Sequence, residues 1–437
     1  MSWQNLFPFS ARVNAAHHLE IGACDIPALA QEFGTPLYIY DEATLRAQAA
    51  NALQVLRAHW DDVTLLYATK AYFAPFLARM YLALGLGLDV TSEGELLIAR
   101  SAGFDPAMIY VHGNNKTPEE IRAALAMGVT HFVADNLDEI PRLASSAREF
   151  GITPRLLIRL SPNIDAHTHR YMTTGVADSK FGLGIANGMA ETAAREIAKH
   201  DNLDLAGLHF HIGSQVFDTD ALREALHAVL DVAQDWRAKF NFDLRELNIG
   251  GGWGVAYNTA QTTLDVNAFA ANTTRALREG LRTRGLSENI KLIVEPGRGL
   301  IARAGVAVYR VGSVKEIPGV RTYAAVDGGM GDNVRPALYS AQYQAFLANR
   351  FDETPAREYA IAGRYCEQGD VLIENTMLPE TRAGDLIAIP VAGAYQMPMA
   401  SNYNLIPRPA IVLVQDGSAR LVRRRESLED MLACDLD

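Results

Sequence analysis

Between residues 63 and 295 the chain repeats one pattern: a short apolar or β-branched run, then a longer stretch with helical spacing. Strand-like runs fall at 63–69, 87–90, 108–111, 131–134, 155–160, 205–211, 246–249 and 291–295, with helical patterns between them, for example at 93–102, 118–127, 219–240 and 266–284. Continuous apolar strands alternating with helices are strands buried on both faces, and eight of them over such a span predict a (β/α)8 barrel. Beyond about residue 302 the texture changes to short β-branched runs separated by Gly, Pro and Asp turns, which predicts an antiparallel β domain. The expected architecture is therefore a TIM-type barrel over residues 37–302. Residues 1–36 are expected to join 303–437 in a β-sandwich or barrel-like domain, since a lead segment needs something to pack against.

Composition narrows the function class. A formal charge of −11 argues against nucleic acid or an anionic membrane as partner, because both need a basic face. Cys24, Cys366 and Cys434 are far apart and odd in number, so no disulfide framework is expected and a reducing cytoplasm fits. No run is long and apolar enough for a membrane span, and the first residues lack the pattern of an export signal. The arginine run at 423–425, followed by Glu426, reads as solvated surface.

In a barrel of this kind the chemistry sits at the C-terminal ends of the strands. Lys70 ends the first run, where a partly desolvated amine can form a Schiff base with a carbonyl cofactor; the alternative is a lysine whose stem packs while its head reaches water. Gly250, Gly251 and Gly252 follow the seventh strand and offer unobstructed N–H groups suited to a phosphate, although consecutive glycines also make turns. Glu295, Gly297 and Arg298 end the eighth, either holding a protonated heterocyclic nitrogen and a carboxylate or forming a structural salt bridge. His209 and His211 close the sixth strand and point to one face by alternation; with Asp165, His167 and His169 they keep a metal-dependent barrel hydrolase in view. Cys366 is either a small buried residue or, beside Glu367 and Asp370, a proton donor.

Taken in order, Tyr67-Ala-Thr-Lys70, His112-Gly-Asn-Asn-Lys116, Asp165–His169 with Ser179–Gly182, His211–Gln215, Gly250–Gly252, Glu295–Arg298, Arg335–Tyr339, Cys366–Asp370 and Ser401–Asn404 resemble the diaminopimelate decarboxylase family. The resemblance spans about residues 19–414. It implies a fold-type III pyridoxal 5'-phosphate enzyme working as a homodimer with shared active sites. Lys70 would carry the cofactor and His211 would stack on its ring. Ser214, Gly250, Gly251, Gly252, Gly297 and Tyr395 would hold its phosphate, and Glu295 would bond the pyridinium nitrogen. Arg298, Arg335, Tyr339 and Glu367, with Tyr395 nearby, would bind the substrate. Cys366 would reprotonate the α-carbon, with Cys366 and Glu367 reaching in from the partner subunit. The implied reaction is decarboxylation of meso-2,6-diaminopimelate to L-lysine and CO2. The chain departs from the family's usual wording at Thr69, Tyr72, Arg364, Tyr365 and Gln368, none of which removes a catalytic group. The alternatives are a related decarboxylase of another basic D-amino acid or siderophore intermediate, the metal hydrolase, and a non-catalytic cofactor-binding protein.

Overall fold

The computed structural model describes residues 2–164 and 179–436. The chain divides into two compact units: Ala49–Gly254 with Thr263–Leu300, and Met1–Gln48 with Val255–Thr262 and Ile301–Asp437.

The first unit is a closed barrel of eight parallel strands: β1 Val63–Ala68, β2 Gly87–Val90, β3 Ile109–Val111, β4 His131–Ala134, β5 Arg155–Ser161, β6 Asp204–Phe210, β7 Glu246–Asn248 and β8 Lys291–Val294. Each strand pairs with the next in sequence, and β8 closes on β1 through Leu292↔Val63 and Val294↔Leu65. The connecting helices begin where local chemistry allows. In Pro118–Ala126, Thr117 and Glu120 form a capping box, Pro118 occupies the first turn, and Ile121, Ala124 and Leu125 are the buried stripe. Leu66, Tyr110, Val133, Leu157 and Ile293, from five different strands, form one fully buried cluster. Truncating such a leucine to alanine costs about 2–5 kcal/mol. At the strand beginnings, buried Glu246 lies 3.0 Å from Arg155 and accepts from the Tyr110 hydroxyl at 3.4 Å. Burial, reinforced by Arg155 and Lys291, pulls the neighbouring His131 down to about 4.

The strand ends differ from the expected bounds in one informative way. Thr69, His211, Ile249 and Glu295 lie just beyond their strands. After Ala68 the chain tightens into a 3-10 turn, Thr69–Ala71, because the Thr69 hydroxyl donates to the Asp89 carbonyl at 2.8 Å. Lys70 therefore leaves from a turn at the barrel's C-terminal mouth.

The second unit is built on the long strand Gly305–Ile317. It pairs antiparallel with Leu37–Asp41, Leu386–Ile389 and Arg321–Val326. The sheet is mixed, since Ala410–Gln415 runs parallel to Leu37–Asp41 and Arg357–Ala362 parallel to Arg321–Val326. Leu37–Asp41 thus lies in this sheet and not in the barrel. A small three-stranded sheet, Arg12–Val13, Leu19–Ile21 and Cys24–Asp25, places the N-terminal lead in the same unit. The arginine run is not wholly solvated: Arg425 donates to the Pro36 carbonyl at 2.7 Å, while Arg424 pairs with Asp430.

Candidate active site

Six strand ends converge in the barrel mouth. Lys70 Nζ donates to Asp89 Oδ2 at 2.6 Å; the lysine is about half exposed and Asp89 is buried. Glu295, just past β8, is buried. Its Oε2 lies 3.2 Å from His209 Nε2, and its Oε1 accepts from Asn248 Nδ2 at 2.5 Å and lies 2.7 Å from His112 Nε2. Burial pushes the Glu295 carboxyl upward, yet His112 and His209 outweigh it and hold the group well below the usual carboxylate range. Burial brings His209 down to about 4, so its imidazole is neutral near pH 7. His211 is likewise held neutral, first by burial and then by the positive charges of Arg159 and Lys70.

The glycine loop wraps this cluster. Gly250 sits at φ +70° and Gly252 at φ +84°, in the left-handed region that side chains resist. A Cβ on Gly250 would stand 2.6 Å from His211 Nδ1 and 2.8 Å from the Phe210 carbonyl. The Gly250 N–H donates to Asn248 Oδ1 at 2.9 Å, and the Gly251 N–H approaches His211 Nδ1 at 3.4 Å. Arg298 Nη2 donates to Ser214 Oγ at 3.0 Å. Gly297 is packed against the Lys70 turn, where a Cβ would meet Ala71 at 3.0 Å.

His112, His209 and Glu295 bring potential ligand atoms within 4.8 Å of one another. Asn248 argues for a different use. Its Oδ1 is committed to Gly250, so its amide N–H must face Glu295, and an N–H aimed at a carboxylate suits an anion held for hydrogen bonding rather than a ligand to a cation. Asp165, His167 and His169 lie outside the described residues. A planar cofactor with a phosphate at one end and a protonated ring nitrogen at the other fits this set: a strand-end lysine, a backbone cradle crowded against any Cβ, and a buried carboxylate kept ionised.

The second unit carries two further groups of expected residues. Arg335, 3% exposed, opens the short helix Arg335–Tyr339 and donates to the Tyr343 hydroxyl at 3.1 Å. The rings of Tyr257, Tyr339 and Tyr395 surround its guanidinium at 5.9, 5.1 and 5.7 Å. Tyr395 sits at φ +60°. The other group is the Cys366 loop, where Cys366 and Glu367 are both exposed. The Cys366 N–H donates to Asn404 Oδ1 at 2.8 Å, and the Tyr403 hydroxyl donates to the Cys366 carbonyl at 3.2 Å. Asp370 is buried and accepts from the Met330 and Tyr365 N–H groups at 2.6 and 2.7 Å, so it anchors the loop from beneath.

Sequence reasoning missed Asp89 and Asn248 as members of the mouth, and Tyr257 and Tyr343 as partners of Arg335; it placed His112 at the end of the third strand without a role. A polar residue near the end of an otherwise apolar strand was the available signal for Asp89 and Asn248. Lys116, in the quoted His112 motif, is structural: buried, it donates to Glu139, to the Gly113 carbonyl and to the Val133 carbonyl at 2.6–2.8 Å. Of the departures, Thr69 tethers β1 to β2, and the Tyr72 carbonyl accepts from the Tyr67 hydroxyl at 2.5 Å.

A family model described as "pyridoxal-dependent decarboxylase, pyridoxal binding domain" matches residues 42–302. The chain is 43% identical over 427 residues to the diaminopimelate decarboxylase of Bacillus subtilis, covering 98% of this chain and 97% of that one. It is similar to the crystal structure of the M. jannaschii diaminopimelate decarboxylase in complex with L-lysine, with a TM-score of 0.89, 30% identity and 98% coverage of both chains. The likeness to the Vibrio vulnificus lysine/ornithine decarboxylase complexed with putrescine is weaker, with a TM-score of 0.74, 27% identity, and coverage of 90% of this chain and 97% of that one.

Proposed function

The chain belongs to the diaminopimelate decarboxylase family of pyridoxal-dependent decarboxylases, and from that premise we propose that it decarboxylates meso-2,6-diaminopimelate to L-lysine and CO2. The observation that carries this reading is the pairing, in one barrel mouth, of strand-end Lys70 with a buried Glu295 held below the usual carboxylate range. Pyridoxal phosphate, when bound, supplies the electron sink for the pair left behind as CO2 departs.

The chain's own residues do the rest. Lys70 would hold the cofactor through its side-chain amine, which Asp89 steadies at 2.6 Å. The glycine loop Gly250, Gly251 and Gly252 and the turn at Gly297, with Ser214 and Tyr395, would hold the phosphate. His211, neutral, would lie against the ring. Glu295, ionised, holds a proton at the ring nitrogen. Arg298, Arg335, Tyr339 and Glu367 hold the distal end of the substrate, whose carboxylate and ammonium call for both signs of charge. Cys366 delivers a proton to the α-carbon after CO2 leaves.

We further propose a cytoplasmic homodimer in which Cys366 and Glu367 of one copy serve the site of the other. Their exposure in the single chain and the Asn404 and Asp370 contacts that fix their loop support this. No described helix is long and apolar enough to cross a membrane. The test is CO2 release by the purified protein with pyridoxal phosphate on meso-diaminopimelate, D-lysine and D-ornithine. Release from diaminopimelate alone is expected; turnover confined to either simple basic amino acid would refute the assignment.

A further inference from the structure

Glu295 is 7% exposed, and what keeps such a carboxylate charged must be found among its neighbours. Asn248 contributes a fixed but neutral amide N–H. His209 contributes a neutral imidazole. Lys70, on the far side, is engaged with Asp89 Oδ2. A further neighbour is His112, just past β3. Its Nε2 stands 2.7 Å from Glu295 Oε1 and 3.8 Å from Asp89 Oδ1, between two buried carboxylates. Its ring meets His209 edge to face, with centroids 5.2 Å apart and planes at 72°, which fixes the ring's orientation. Two carboxylates this close raise each other's proton affinity unless a donor lies between them. Other ionisable groups acting on this cluster, among the described residues, include His211 just past β6, which senses both Glu295 and His209, Arg159 on β5, which acts on His209, and the Tyr110 phenol on β3.

We propose that His112 is a positioning residue for Glu295: its Nε2–H, set between the Glu295 and Asp89 carboxylates, keeps Glu295 ionised and fixed so that it can bond a protonated ring nitrogen. His112 Nε2 thereby stands 2.7 Å from Glu295 and 3.8 Å from Asp89, the carboxylate that holds Lys70. The functional half of the inference rests on the reading above; the electrostatic half concerns the chain's own residues.

The test uses the full-length apoprotein. Infrared difference spectra, with Glu295→Gln identifying the Glu295 band, are expected to show an ionised carboxylate near neutral pH in the wild type and a protonated one in His112→Phe. In His112→Gln, whose amide N–H can reach the same oxygen, the ionised form is expected to return. A Glu295 that stays ionised in His112→Phe overturns the proposal, as does a His112→Gln variant no better than His112→Phe. Should either variant fold poorly, 15N NMR of labelled histidine in the wild type decides the matter: Nε2 of His112 is expected to carry the proton, and a bare Nε2 overturns it. Pyridoxal phosphate affinity is expected to fall about tenfold or more in His112→Phe, from the usual strength of a hydrogen bond to a charged group, and an unchanged affinity overturns the functional half. If the wild type itself takes up no pyridoxal phosphate, the cofactor assignment falls, while the infrared result still decides His112.

Discussion

Replacing Gly250 by alanine tests the cradle most directly, because two separable penalties apply there. The first is conformational: at φ +70° a Cβ crowds its own backbone, which costs about 1–2 kcal/mol. The second is steric. The added Cβ would stand 2.6 Å from His211 Nδ1 and 2.8 Å from the Phe210 carbonyl, so restoring ordinary contact needs shifts of about 0.6–0.8 Å in the loop and the imidazole. Gly103 supplies the control. It sits at φ +83° as the cap of Glu93–Ala102, with nothing within 4 Å of its would-be Cβ. Gly103→Ala is expected to lower stability by about 1–2 kcal/mol in urea unfolding and to leave cofactor binding untouched. Gly250→Ala is expected to lose at least as much stability and, because it displaces the ring and phosphate groups, to lower kcat/KM by about 100-fold, the usual effect of a misplacement approaching 1 Å. Cofactor affinity, followed by titrating the apoproteins with pyridoxal phosphate, should weaken only in Gly250→Ala. Equal affinities in the two variants would refute the assignment of this loop.

Further expectations follow from the same geometry. Lys70→Ala should lose both turnover and the borohydride-sensitive visible absorbance of the lysine-bound cofactor; retained turnover would end the proposed mechanism. Cys366→Ala should bind cofactor normally yet fail to turn over, and mixing it with Lys70→Ala should restore part of the activity through heterodimers. An absence of complementation would count against sites shared between copies. Lys116→Met leaves Glu139 buried without its cation and should cost about 3–5 kcal/mol in urea unfolding, a figure that a near-neutral result would contradict. His131, near 6.5 when unfolded, is held down to about 4 in the fold. Protons therefore bind the unfolded chain first, and stability should fall as pH drops from about 6.5 to about 4, by up to roughly 3 kcal/mol from this group. His131→Gln should flatten that segment of the stability profile; an unchanged slope would refute the attribution.

The parts of the architecture that rest on local pattern were legible in advance. The eight strands lie within a residue or two of the bounds expected from the sequence, since a strand buried on both faces shows as a short, mostly apolar run between turn residues. Lys70, Glu295 and the glycines announced themselves as exceptions at strand ends. Cys366 and Asp370, four residues apart, were harder to separate: one is exposed and the other buried beneath it, and only the folded loop distinguishes a candidate acid from its support.

The sequence by itself determined the alternation that closes a barrel and the residue types at its mouth, because hydrophobic period and chain punctuation are local properties. Tertiary structure alone decided which of those residues meet. Asp89, His112, His209, Asn248 and Glu295 come from five strands spread over more than 200 residues, and no spacing in the chain encodes their contacts. Barrel closure brings His112, His209 and Asn248 within 3.2 Å of Glu295 and Asp89 within 3.8 Å of His112, and burial then strengthens the contacts to Glu295. The same holds for Arg335, whose tyrosine surroundings come from residues 257 to 395 within the second unit.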